Sequence, residues 1–327
     1  MTFNRRTFMR LAGAIASPWI ASGVIAQEGS TRVLVGFPSG GAVDIAARFI
    51  CPMLSDRLGR WFEVENLPGE SGNTATARVV AAAPDGRTLL LCGPVNTINT
   101  TLFPRLPFRF DQDLAAVAGL YRVPLIVEVH PHGPVQSAAE LIAYARSRPG
   151  VLKVGYAGKG TPQHIGIELF KSVAQADMTL IAYTGSAPAL EDLLAGRIDV
   201  MFDPVPSSIG HVKAGRLRAL ALTGTKPLAS LPGVPLMSEL VPGYEAGSWF
   251  GLCAPSGTPA DLVDALNAAC NAALREPVAL RRLDELGATP MTGSPVEFAA
   301  FIRQETQKYA RVIAEAKIAQ RGGRAPG

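Results

Sequence analysis

Short continuous apolar runs alternate with longer segments of helical spacing from residue 31 onward. Thr31–Phe37 is an apolar run of strand length. After Gly41, apolar residues recur at three- and four-residue intervals (Ile45, Phe49, Met53 or Leu54, Leu58), which predicts a helix with those residues on its buried face, ended by Gly59. Trp61–Glu65 and Thr88–Cys92 read as further strands, and an alanine-rich helix over about Thr74–Ala83 lies between them. A short helix is expected after Gly93-Pro94-Val95-Asn96. Strands that are apolar on consecutive residues are buried on both faces, so this β-α-β-α-β unit predicts a parallel sheet covered by helices.

The pattern then returns. Leu120–Val129 is a long apolar run, and Ser137 with Glu140 forms a capping box before a helix to Arg148. Residues 150–224 repeat β-α-β-α-β with strands at Leu152–Tyr156, Met178–Tyr183 and Ile198–Phe202, and a further helix and the strand Arg218–Leu222 complete the unit. The proline- and glycine-rich stretch Lys226–Tyr244 reads as a connection. Trp249–Ala254 is a strand, and helices follow over about 260–274 and 296–316. The run 120–129 and the stretch near 220–225 are natural crossings between two lobes. The expected division is a discontinuous first lobe (27–122 with 226–320), a continuous second lobe (123–225), and a frayed tail (321–327).

The chain has 327 residues, enough for two lobes, and its hydrophobic content of 48% with 18% charged residues marks it as globular. The start departs from this pattern. Arg5 and Arg6 precede an apolar stretch ending at Ala26, which reads as an export signal, either a twin-arginine type or an ordinary secretory one. The mature protein is thus expected in the periplasm. The formal net charge of +4 falls to +1 once that leader's three arginines are removed, leaving 28 basic against 27 acidic residues. No long basic run remains, which argues against a nucleic-acid partner. The four cysteines have no metal spacing, and spacing cannot pair them; buried free thiols are expected.

Two stretches carry the candidate chemistry. Val35–Asp44 and Val154–His164 each read as a strand end, a glycine-rich turn and a helix start. Such loops present backbone N–H groups and a positive dipole end, an anion site that needs no fixed cation. Ligands of parallel sheets sit beyond the carboxyl ends of the strands, so the strand-exit residues are the site candidates: Ser39, Gly40, Gly41, Asp44 and Asn96 from one lobe, and Gly158, Gly160, Thr161, His164, Thr184, Gly185, Ser186 and Asp203 from the other. Local roles compete with ligand contact. Asp44 can complement its helix dipole, Thr161 and Ser186 can be N-caps, His164 can satisfy a local bond, and Asp203 can cap the next turn.

Catalytic motifs fail. Ser39 lacks the G-x-S-x-G context, and Gly158-Lys159-Gly160 is neither a P-loop nor part of G-x-G-x-x-G. His130 and His132 have no third metal ligand nearby. No catalytic set, metal or cofactor is expected, and a hydrolase using Ser39 and His164 is the remote alternative.

The segments FPSGGAVD (37–44), ENLPGESGN (65–73), APDGRTLLL (83–91), GTPQHIGIELFK (160–171), YTGSAPALEDLLAGRIDVMFD (183–203) and GLCAPSGTP (251–259) closely resemble the Bug family, the extracytoplasmic receptors of tripartite tricarboxylate transporters. The resemblance spans nearly the whole mature chain. It implies an α/β type II periplasmic-binding-protein fold: two Rossmann-like lobes around a ligand cleft, joined by two hinge crossings. It implies a monomeric receptor that holds a small organic carboxylate through loop amides, hydroxyls and waters and hands it to the transporter's membrane subunits. A carboxylate sensor without a dedicated transporter is the alternative. The family commonly has a hydroxyl residue or glycine where Ala42 stands and a lysine where Thr184 stands, so the resemblance implies a ligand less highly charged than a tricarboxylate.

Overall fold

The computed structural model describes residues 30–315 and Ile318; the expected leader and tail lie outside the described residues. The strands are β1 (Thr31–Val35), β2 (Phe62–Asn66), β3 (Thr88–Cys92), β4 (Leu114–Val129), β5 (Lys153–Tyr156), β6 (Thr179–Ala182), β7 (Val200–Pro204), β8 (Arg218–Leu222), β9 (Gly247–Pro255) and β10 (Thr289–Pro290). The helices are α1 (Ala42–Leu58), α2 (Asn73–Val80), α3 (Pro94–Leu102), α4 (Ala138–Ser147), α5 (Pro162–Ala174), α6 (Ser186–Leu194), α7 (Val205–Lys213), α8 (Ala260–Leu274), α9 (Pro277–Glu285) and α10 (Pro295–Glu315).

The strands form two lobes with one plan. In the first, β1 pairs in parallel with β2 and β3, β9 runs antiparallel to β3, and the first part of β4 runs antiparallel to β9. In the second, β5 pairs in parallel with β6 and β7, the last part of β4 runs antiparallel to β7, and β8 runs antiparallel to that part of β4. Each lobe is therefore three parallel strands followed by an antiparallel insertion and a fourth strand. The apolar runs have the cause inferred for them. Val33 and Val35 of β1 enter one core while Leu34 enters the core on the opposite face, and Leu89 and Leu91 against Leu90 of β3 do the same. In the second lobe Val200 and Phe202 face one core and Met201 another.

β4 carries the chain from one lobe to the other without a break. Its partner changes between Pro124, opposite Gly247, and Leu125, opposite Pro204. Proline has no N–H to give to a ladder, so a strand interior tolerates it where pairing changes. The return crossing lies beside it. Thr223, fully buried, accepts a hydrogen bond at its hydroxyl from Leu125 N–H at 2.8 Å and donates to the Ala246 carbonyl at 2.6 Å. One hydroxyl thus ties both crossings together.

Some local readings differ. β4 begins at Leu114 rather than Leu120, because the alanine-rich start (LAAVAG) has weak strand preference and is held by pairing with β9. α9 falls where the pattern suggested no element; Ala279 and Leu283, four residues apart, are its buried residues. On α1 the deeply buried face is Ala46, Ala47, Ile50, Cys51 and Leu54, while Ile45 and Phe49 are only partly covered. The alanines let the helix lie close to the sheet, a fit that hydropathy alone does not rank.

Candidate functional site

Between the lobes lies a narrow cavity. Its walls are built from helix starts. Gly41, Ala42 and Val43 open α1, Gly72 precedes α2, and Gly93, Pro94 and Val95 open α3, all from the first lobe. Thr161, Pro162 and Gln163 open α5, Ser186 opens α6, and Pro204 precedes α7, all from the second. The cause is topological: a helix that follows a parallel strand starts at the strand's carboxyl end, so every such start faces the same crevice. The first N–H groups of each helix have no partner within it, and the dipoles point positive ends inward. Among the described residues, no Lys, Arg, Asp or Glu side chain lines the cavity. Phe37, Val43, Leu91, Val95 and Phe250 make much of the wall apolar. The arrangement fits a small anion with an apolar body.

The lobes touch at the rim. A side-chain carbon on Gly185 would stand 2.8 Å from Pro38 Cδ, one on Gly41 3.7 Å from Ser186 Cβ, and one on Gly158 3.6 Å from Ser71 Oγ. Gly160 has φ +80°, and a side chain there would strike Asn99 Oδ1 of the first lobe. The glycine loops therefore pack against the opposite lobe, and the two lobes meet beside the cavity.

Of the sequence candidates, Gly41, Asn96, Thr161 and Ser186 line the cavity. Their polar side-chain atoms are already engaged. Asn96 accepts from Gly93 N–H and donates to Thr76 Oγ1, both at 2.9 Å. Thr161 is the N-cap of α5, accepting from His164 N–H, and donates to Gly158 O at 2.7 Å. Ser186 donates to Asp203 at 2.5 Å. Ser39, Gly40 and Thr184 are exposed and lie off the cavity wall; Gly158, Gly160 and Gly185 lie at or near the lobe contact.

Asp44, His164 and Asp203 stand behind the wall. The Asp44 carboxylate takes Gly40 N–H, Arg48 Nε and Asn66 Nδ2, each at 2.9 Å, and so fixes the first glycine loop. Burial would raise its carboxyl, but these bonds outweigh burial and hold it below its usual value. His164 stacks on Tyr156 with ring centroids 5.2 Å apart. Burial first, then Lys159 and Lys171, lowers its pKa to about 4, so it is neutral and offers an anion no charge. Asp203 is fully buried and takes bonds from Ser186, Gln163, Ser207 and Ser208.

Sequence reasoning missed Phe37, Thr76, Gln163, Ser248 and Phe250 on the wall. Ser248 and Phe250 alternate on β9, the strand that enters the first lobe after the return crossing, and periodicity does not tell which face of such a strand meets the cleft. Gln163 was within the quoted loop, two residues beyond the N-cap.

The pattern of the family described as "Tripartite tricarboxylate transporter family receptor" matches residues 46–318. The chain is 34% identical to Protein BugT of Bordetella pertussis over 308 residues, 92% of this chain and 94% of that one. Among solved structures, an R. palustris protein with adipate is 36% identical with a TM-score of 0.86, covering 88% of this chain and 97% of the other. MatC from Rhodopseudomonas palustris with bound malate is 32% identical with a TM-score of 0.81, covering 87% and 98%. The fold is that of the periplasmic solute-binding proteins, and the chain belongs to the Bug family, the receptors of tripartite tricarboxylate transporters.

Proposed function

We propose that the interlobe cavity captures a small organic carboxylate, that the lobes close on it without chemical change, and that the closed form delivers it to membrane subunits of a tripartite tricarboxylate transporter. One observation carries this reading: helix starts of both lobes converge on a cavity wall that has no charged side chain among the described residues. Amides and dipoles there favour an anion, and the apolar remainder favours an organic body. Relatives of this chain hold adipate and malate, which supports the same class of ligand. The protein acts as a monomer in the periplasm, reached through a leader cleaved after Ala26.

The test is thermal denaturation of the mature protein against mono-, di- and aromatic carboxylates. A ligand at one hundred times its Kd adds about 2.7 kcal/mol of stability. A panel in which no carboxylate raises the midpoint overturns the reading. N-terminal sequencing of the exported protein tests the leader: Gln27 is the expected first residue.

A further inference from the structure

Donor counting across the second lobe's wall singles out one atom. Asp203 Oδ1 receives the Ser186 hydroxyl at 2.5 Å and Gln163 Nε2 at 3.2 Å, and Oδ2 receives the hydroxyls of Ser207 and Ser208, the latter at 3.0 Å. Ser207 Oγ also lies 2.8 Å from the Pro204 carbonyl, and burial raises the Asp203 carboxyl while the hydrogen bonds it receives pull it back down. Ser208 Oγ also lies 2.5 Å from Glu128 Oε1. A hydroxyl has one hydrogen. Ser208 can give it to only one of these two carboxyls, so the other must carry a proton and donate to Ser208; Asp203 also receives Gln163 and Ser186 while Glu128 Oε2 has no partner, which puts that proton on Glu128. The surroundings agree: burial and the neighbouring Asp203 charge push the Glu128 carboxyl well above its usual value. The chain therefore runs in one direction, from Glu128–H to Ser208 to the Asp203 carboxylate.

This polarity fixes the Gln163 amide. Its Nε2 faces Asp203 and also donates to Ser186 Oγ at 3.0 Å, so both of its hydrogens are used. Reversing the amide would set Oε1 against the carboxylate. Gln163 Oε1 must therefore point away from Asp203. Gln163 is only 3% exposed and lines the cavity, yet no donor among the described residues reaches Oε1. Unlike Asn99 Oδ1 and Glu128 Oε2, it is not sealed inside the protein. Water can satisfy this accessible oxygen in the empty cleft, and a ligand that displaces the water must supply a donor in its place or lose affinity.

We propose that Gln163 Oε1 reads a neutral hydrogen-bond donor on the ligand, so that the captured acid carries a hydroxyl or amide N–H besides its carboxylate. This rests on the carboxylate-receptor reading above and narrows it. A second ionised carboxylate offers no hydrogen to this oxygen and would face the Asp203 charge behind it.

Calorimetric titration of the mature protein tests this with hexanoate and its monohydroxy isomers, phenylpropanoate and its para-hydroxy analogue, and adipate. At least one hydroxy acid should bind about tenfold tighter than its parent. Gln163→Met should bring the ratio of hydroxy-acid to parent-acid affinity to about one. If the parent acids bind and no hydroxy acid binds more tightly, the inference is overturned and the receptor reading stands. A preference retained in Gln163→Met, or adipate binding above every hydroxy acid, also overturns it. Binding of none of these acids overturns both readings. The wild-type series decides the matter should the variant not fold.

Discussion

Replacing Gly185 by alanine separates closure from folding. Gly185 has φ 176° and ψ 177°, an extended backbone that alanine adopts without strain. Within its own lobe the substitution meets no obstacle: the atoms nearest a new Cβ are Pro38 Cδ at 2.8 Å, Cγ at 3.4 Å and N at 3.8 Å, all on the opposite lobe. A proline ring cannot swing aside as a lysine tip would, so the closed form must shift by several tenths of an ångström. Overpacking of this kind costs about 1–3 kcal/mol. The open form escapes that cost, because opening carries Pro38 away. Loss of glycine's freedom in the unfolded chain should even stabilise the unliganded protein by about 0.4–1 kcal/mol. The substitution thus acts with opposite signs on two measurements. Calorimetric Kd for any bound carboxylate should rise by about 5- to 150-fold, while the urea midpoint without ligand stays level or increases. Gly210→Ala, where a Cβ meets nothing within 4 Å, should leave Kd unchanged. A Gly185→Ala protein that binds like wild type, or that loses unliganded stability as much as affinity, refutes the interlobe contact as part of closure.

Three further outcomes follow from the same geometry. His164 titrates at about 4 in the folded protein against 6.5 when unperturbed. The unfolded chain therefore binds more protons between those values, and this contribution is complete above pH 6.5 and is lost as pH falls towards 4, about 3 kcal/mol in all; denaturant midpoints of His164→Asn should fall less steeply across that window, and an equal slope would count against a neutral buried imidazole. All four cysteines are buried, and burial raises the thiols of Cys51 and Cys270 to about 12; a thiol reagent should titrate none of them in the native protein and four on unfolding of the reduced chain, and rapid native labelling would contradict the packing. Thr223→Val leaves the Leu125 N–H and Ala246 carbonyl unpaired at the crossings, so the unfolding free energy from urea titration should fall by about 2–4 kcal/mol; a loss under about 0.5 kcal/mol would mean the hydroxyl does not hold the hinge.

The parallel units, the glycine turns and the helix starts after them were legible in the sequence because each is local chemistry: apolar runs, Thr161-Pro162 as cap and first turn, Ser137 with Glu140 as a capping box. The resemblance supplied the family. What stayed hidden depends on contacts far apart in the chain. Ser39 and Thr184 look like ligand residues in a polar loop, yet both are exposed off the cavity wall. Asp44 sits one helical turn from Arg48, and its role in holding Gly40 becomes visible only when Asn66 arrives from β2. Asp203 and Glu128 are 75 positions apart and are joined through Ser208. No periodicity announces that pairing, and without it the Gln163 amide has no defined orientation.

An uncharged cavity suits a clamp better than a cationic one. A lysine or arginine inside it would lose its water whenever the empty lobes closed, a cost that good pairing with the ligand must first offset. Helix starts carry no such cost, since the fold already holds their N–H groups in place. Each contributes roughly 0.3–2 kcal/mol towards an anion, depending on burial. The starts of α1 and α3 lie on one lobe and those of α5 and α6 on the other. An anion seated on the first lobe gains the second pair only when the lobes meet, about 0.6–4 kcal/mol that the open form does not provide. A ligand shifts a conformational equilibrium only by such a difference in affinity. Dividing the helix starts between the lobes is therefore what makes a bound carboxylate favour the closed form.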